Sequence, residues 1–107
     1  MSAVARGSDV TFRQTIEFTT GRIEAFHAFF DDWIARSEGD RIPHRAVLQA
    51  DRDAPGVYLL TVEFSSHAEG MANSARPRTG EFATFLGRLA EGPLGFRNLD
   101  VVREEEF

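Results

Sequence analysis

The sequence predicts an α+β sandwich, with a four-stranded antiparallel sheet carrying its helices on one face, and three observations predict it. Residues Val10 to Phe18 alternate apolar and polar side chains, the period of a half-buried strand. Residues Gly56 to Phe64 form a second run, rich in β-branched and aromatic residues, entered through Pro55-Gly56 and left at Ser65-Ser66. Elsewhere apolar residues recur every three or four positions over two long segments, the spacing of helices with one buried stripe.

Taken in order, residues 1–9 read as a loose leader. The first strand then places Val10, Phe12, Gln14, Ile16 and Phe18 on one face, with Gln14 the only polar member of that row. Thr19-Thr20-Gly21 supplies a helix start with Thr20 as the expected N-cap. The helix is expected to run to about Arg36. Ile23, Phe26, His27, Phe30, Trp33 and Ile34 give it a broad stripe, and Gly39 suits the left-handed position beyond its end. Pro43 to Asp51 is a second strand whose weak alternation does not assign a buried face. A hairpin turn over Asp51–Gly56, organised by Asp51 and Asp53, leads into the third strand. There Tyr58, Leu60, Val62 and Phe64 share one face, and Leu59, Thr61 and Glu63 the other.

Ser66-His67-Ala68-Glu69 is a capping-box pattern opening a second helix. Pro77 interrupts it, and a fresh start is expected at Thr79. Phe82, Phe85, Leu86 and Leu89 then form a stripe closed by Gly92-Pro93. Phe96 to Arg103 is the last strand, with Leu99 and Val101 on one face. The order β-α-β-β-α-β is the split βαβ arrangement of ferredoxin-like folds. Right-handed crossovers put the first and third strands in the centre and both helices on one side. The other sheet face carries Leu59 and, with the last strand, Leu99 or Val101. An uncovered apolar face calls for a partner, so a homodimer through this face is expected.

At 107 residues the chain is read as one domain over 10–104, followed by a solvated tail at 105–107. A net charge of −5 argues against nucleic acid or an anionic membrane as partner. The chain has no cysteine, which removes disulfides and thiolate chemistry and fits a cytoplasmic location. Ten phenylalanines in so short a chain point to an interface or a pocket in addition to a core.

From Asp51 onward the residues carry a family likeness. The stretches Asp51-Arg52-Asp53-Ala54-Pro55-Gly56-Val57-Tyr58, Val62-Glu63-Phe64, Asn73-Ser74-Ala75-Arg76-Pro77-Arg78-Thr79, Phe82-Ala83 and Phe96-Arg97-Asn98-Leu99-Asp100 resemble small actinobacterial proteins of the dimeric α+β barrel superfamily. That superfamily includes the antibiotic biosynthesis monooxygenases. The resemblance implies a homodimer of face-to-face sheets, each subunit keeping a cavity between its sheet and its helices. It also implies oxidation of aromatic compounds by dioxygen with no flavin, haem or metal, hence no cofactor. The haem-degrading branch uses an Asn, a Trp and a His. Here the corresponding regions offer Gln14, no tryptophan and only His67, which argues against haem.

Two classes of function stay open: a cofactor-independent monooxygenase-like enzyme for a small aromatic or polycyclic substrate, and a non-catalytic ligand-binding or interaction module on the same scaffold. The candidate catalytic residues are His27, read either as a satisfied core histidine or as a base near neutral pKa, and Gln14, an amide needing partners in an apolar row. Phe26, Phe30, Trp33, Tyr58 and Asn73 are the candidate substrate contacts. Asn73 has a local alternative, capping backbone groups freed by Pro77. His27, His44 and His67 lack metal-ligand spacing, so no metal site is expected.

Overall fold

The computed structural model describes residues 10–107, and the leader expected over 1–9 lies outside the described residues. Its elements are β1 (Phe12–Thr19), α1 (Ile23–Arg36), β2 (Arg45–Ala50), β3 (Val57–Phe64), α2 (His67–Ser74), α3 (Pro77–Leu89) and β4 (Gly95–Asp100). The sheet order is β2-β3-β1-β4, with every neighbouring pair antiparallel. The expected ferredoxin-like arrangement is therefore present, with the first and third strands central. Among the described residues no helix is long and apolar enough to cross a membrane.

The element boundaries depart from expectation where local chemistry differs. Thr20 is not the N-cap of α1. That helix starts at Ile23 behind an Arg22 cap that receives no side-chain hydrogen bond. The Thr20 hydroxyl, 2% exposed, instead accepts from the Arg22 N–H at 3.0 Å and donates to the Leu89 carbonyl at 3.1 Å. It ties the entry of α1 to the exit of α3. Gly39 has φ +89° beyond the end of α1, as its position in the sequence suggests.

The hairpin turn is held by Asp51, whose carboxylate accepts from the Asp53 N–H at 2.9 Å, and by Gly56 at φ +88°. Ser66 caps α2 by accepting from the Glu69 N–H at 3.2 Å, while Glu69 reaches back to the Ser65 N–H at 3.0 Å. The restart expected at Thr79 occurs at Pro77, the first residue of α3. A proline there sacrifices nothing, because first-turn N–H groups have no helical acceptor.

One core cluster gathers Ile16, Phe18, Phe26, Leu60, Leu86 and Leu89 between sheet and helices. A smaller one places Phe12 and Phe64 under α2, with ring centroids 6.0 Å apart. The strand registers define the helix-facing rows: Gln14 lies opposite Val62 and Asn98, and Ala46 lies opposite Val62 from the other side. Leu59, Val47 and Leu99 fall on the open face, as Leu59 and Leu99 were expected to. At its centre, however, Arg13 Nε donates to Glu63 at 2.7 Å, and the Thr15 and Thr61 hydroxyls lie 3.3 Å apart. The Glu63 hydrogen bond holds the Arg13 guanidinium above the usual arginine range. The open face is thus a mixed surface, with charge at its centre and apolar residues around it.

Candidate functional site

Large apolar side chains from both layers fill the sandwich around Phe18, Leu60 and Leu89. Towards the other end the positions between sheet and helices hold Gln14, Ala46, Gly80 and Ala83, too small or too polar to close the space. A cavity of about 850 Å³ results. Its sheet side is made by Gln14 and Ile16 of β1, Ala46 of β2 and Val62 of β3. Phe30 and Trp33 of α1, with Phe82 and Leu86 of α3, form the opposite wall. Residues 41–45 lie along one side, so Arg41, His44 and Arg45 contribute to the lining.

The aromatic residues are continuous from core to cavity. Tyr58 stacks on Phe18 (5.7 Å between centroids), Phe18 on Phe26 (5.6 Å), Phe26 on Phe30 (5.5 Å) and Phe30 on Trp33 (5.6 Å, nearly parallel at 8°). Phe29 clamps α1 to α3 by stacking on Phe85 at 4.0 Å. The heavy phenylalanine load therefore serves both core and cavity. Phe12, Phe18, Phe26 and Phe64 are buried, whereas Phe30, Phe82 and Phe96 contribute to the cavity wall.

The structure brings together Gln14, Phe30, Trp33 and Asn73 from the sequence candidates. Gln14 has a partner: its Nε2 donates to the Asn98 Oδ1 at 3.1 Å, and its own Oε1 has no hydrogen bond among the described residues. Asn73 differs from the capping expectation. Its backbone carbonyl accepts from the Arg76 N–H at 3.1 Å. The side chain, in a residue only 9% exposed, has no hydrogen bond among the described residues, yet its polar atoms are not sealed in. Its carboxamide keeps its hydrogen-bonding capacity at the cavity edge.

His27, Phe26 and Tyr58 are corrected. His27 is exposed, its ring edge-on to Phe26 at 6.1 Å, and it is not part of the cavity wall. Each helical residue turns about 100° from the last, so with Phe26 pointing inward His27 rotates to the flank. Among the described residues Asp31 makes no ion pair with it. Phe26 is 1% exposed and belongs to the core. Tyr58 sits four residues from Val62 along β3, about 13 Å from the cavity floor at the usual strand rise.

Sequence reasoning weighed His44 as a metal ligand and did not place it at the cavity. It contributes to the lining, with Nδ1 3.7 Å from Glu63 Oε1 and its side chain 48% exposed. Among the described residues no group of three or more His, Asp or Glu side chains is placed to hold a metal ion.

No protein-family model matches the chain, and no curated protein matches it. Solved structures do. SnoaB, a cofactor-independent oxygenase from Streptomyces nogalater, superposes with a TM-score of 0.72 at 18% identity, over 91% of this chain and 97% of its own. A protein described as a candidate antibiotic biosynthesis monooxygenase from Caulobacter crescentus gives 0.72 at 14% identity, over 89% and 92%. Rv0793 from Mycobacterium tuberculosis gives 0.70 at 16% identity, over 90% and 99%. The chain has the α+β fold of the antibiotic biosynthesis monooxygenases that its sequence resembles.

Proposed function

We propose that this protein is a monooxygenase-like enzyme that oxidises a small aromatic or polycyclic substrate with dioxygen and no added cofactor. The observation that carries the reading is the cavity of about 850 Å³, aromatic along one wall and bearing the Asn73 amide, which has no hydrogen bond among the described residues. Its volume falls within the usual range for small-molecule sites. The fold shared with a cofactor-independent oxygenase supports it as analogy.

The chemistry fits these side chains. In an anthrone the reacting carbon is a methylene flanked by rings, next to a carbonyl-bearing system that can enolise. Replacing its two C–H bonds with C=O releases four electrons. One molecule of dioxygen accepts them, one atom entering the product and the other leaving as water. The substrate is its own reductant. What the protein must supply is orientation and stabilisation of the enolate that precedes oxidation. Phe30, Trp33 and Phe82 offer faces for the rings. The Asn73 amide N–H is the donor for the developing oxyanion, with Gln14 Oε1 accepting from a neighbouring hydroxyl. On the same reading a second copy of the chain covers the open sheet face.

The test is oxygen uptake with dithranol, an anthrone, in wild-type protein and in Asn73→Ala. Truncating Asn73 orphans no protein group, so folding should persist by circular dichroism. Turnover should fall by about 10²–10³, the usual cost of one oxyanion donor. Wild-type turnover no faster than buffer refutes the enzyme reading. A second reading, a non-catalytic ligand-binding module, draws on the half-exposed position of His44, the one histidine of the lining. Saturable dithranol binding without oxygen uptake would establish that reading instead.

A further inference from the structure

The chain between α1 and β2 forms a strap beside the cavity. It is fixed at one end where the N–H of the buried Ser37 donates to the Trp33 carbonyl at 2.9 Å. At the other end the His44 N–H donates to the Glu63 carbonyl at 3.1 Å. Arg41, Ile42 and Pro43 of the strap contribute to the lining, as do Asn73 and Thr79 on either side of the α2–α3 junction. The two segments meet at Asp40. Its carbonyl accepts from Arg76 Nη1 at 2.6 Å, and its carboxylate lies 3.0 Å from Arg78 Nη1 and 3.9 Å from Arg76 Nη1. Among the described residues, every hydrogen bond or ion pair between residues 38–43 and residues 67–89 ends on Asp40. Arg76 is the N-cap of α3 and Arg78 stands in its first turn, which holds no acidic residue. Arginines there oppose the positive end of the helix dipole, so a carboxylate beside them relieves an unfavourable charge. Asp40 supplies it from the strap.

We propose that Asp40 latches this strap over the entrance of the cavity, and that a ligand passes when Arg76 and Arg78 release it. The Asp40 side chain is 58% exposed, and ion pairs so exposed are weak and screened by salt. A segment fixed at both ends and held between them by solvent-exposed groups opens before the core does. Asp40, Arg76 and Arg78 lie outside the lining, so the latch governs passage and not the final contacts of the ligand. A gate of this kind alters entry and exit alike and leaves affinity where it was. The inference rests on the proposed reading of the cavity as an aromatic site.

Trp33 is the one tryptophan of the chain and stands in the cavity wall, so its fluorescence reports the arrival of a ligand. Stopped-flow mixing with 2-naphthol, uncharged at neutral pH, measures both rates in wild type, Asp40→Ala and Arg78→Gln. The second variant breaks the same ion pair and keeps the strap sequence intact. Each should speed association and dissociation together by about three- to tenfold, the reach of exposed ion pairs, with Kd within about twofold of wild type. Raising the salt should speed the wild type and leave Asp40→Ala unchanged, because a neutral probe is not itself steered by charge. If both variants keep the wild-type rates, the latch is overturned and the aromatic cavity stands. A weaker Kd at an unchanged association rate makes the strap a fixed wall, and the latch is likewise overturned. If 2-naphthol does not bind the wild type, the aromatic site itself is refuted and this inference falls with it.

Discussion

Gly70 seats α2 against the Phe12 ring of β1, and its replacement by alanine sets two effects of known size against each other. In a helix interior, Gly→Ala ordinarily stabilises by about 0.5–1 kcal/mol, because glycine loses more backbone freedom on folding. At Gly70 an added Cβ would lie 2.6 Å from Phe12 Cε2 and 2.7 Å from its Cδ2. The ring has little room to retreat. Phe12 is 2% exposed, with Phe64 at 6.0 Å and the His67 ring edge-on at 5.1 Å. Overpacking of this kind costs about 1–3 kcal/mol, so the clash should outweigh the propensity gain and leave a net loss of about 1 kcal/mol. Gly87, inside α3, is the control. An added Cβ there meets nothing within 4 Å, so Gly87→Ala should stabilise by about 0.5–1 kcal/mol. At about 4 °C per kcal/mol for a domain of this size, the two melting points should differ by roughly 8 °C. Urea unfolding followed by circular dichroism measures both, with unchanged m-values confirming a native-state effect. Asn73 follows Gly70 on the same short helix, so the displaced α2 should also weaken dithranol binding. If Gly70→Ala is as stable as the wild type, the Phe12 ring moves freely and the seating of α2 has been misjudged.

Two further outcomes bear on the frame around the cavity. Thr20→Val keeps the shape of a buried side chain but orphans the Leu89 carbonyl and the Arg22 N–H. It should cost about 1–3 kcal/mol in chemical denaturation, with Thr20→Ser recovering most of that; a loss below about 0.5 kcal/mol would show the α1–α3 tie to be idle. Leu59 lies on the open face opposite Glu17 of β1. Native mass spectrometry at micromolar concentration should show a dimer for the wild type and a folded monomer for Leu59→Asp, since the new charge would be buried at the seam beside Glu17. A monomeric wild type would remove the second copy from that face.

Strands, helices and their order were legible because their signals are local. Alternation in Val10–Phe18 and in Gly56–Phe64 needs no knowledge of the partner strand, and the order β-α-β-β-α-β then leaves few topologies. The cavity was harder to see because it depends on relations between elements. The stripe Ile23, Phe26, His27, Phe30, Trp33, Ile34 is broader than the surface available to cover it. Packing keeps Phe26 at 1% exposure and leaves Ile34 at 39%, with His27 also outside. No count of spacings decides which edge of such a stripe is lost. The edge strand β2 poses the same problem in another form. Arg45-Ala46-Val47-Leu48 has no clean alternation, and only pairing Ala46 with Val62 and Ala50 with Tyr58 places the even-numbered row over the cavity.

Asn73 shows how a local rule leaves two readings of one side chain open. A proline ahead suggests backbone groups in need of side-chain partners, and an asparagine nearby is the natural donor or acceptor. That expectation assumes that Pro77 breaks a continuing helix. Here it starts a new one, where its missing N–H would have had no helical acceptor. The Asn73 carbonyl is already satisfied by the Arg76 N–H within the turn. With the backbone needing nothing from it, the carboxamide is free to face the cavity. The same proline that seemed to engage Asn73 locally leaves its carboxamide unused by the backbone.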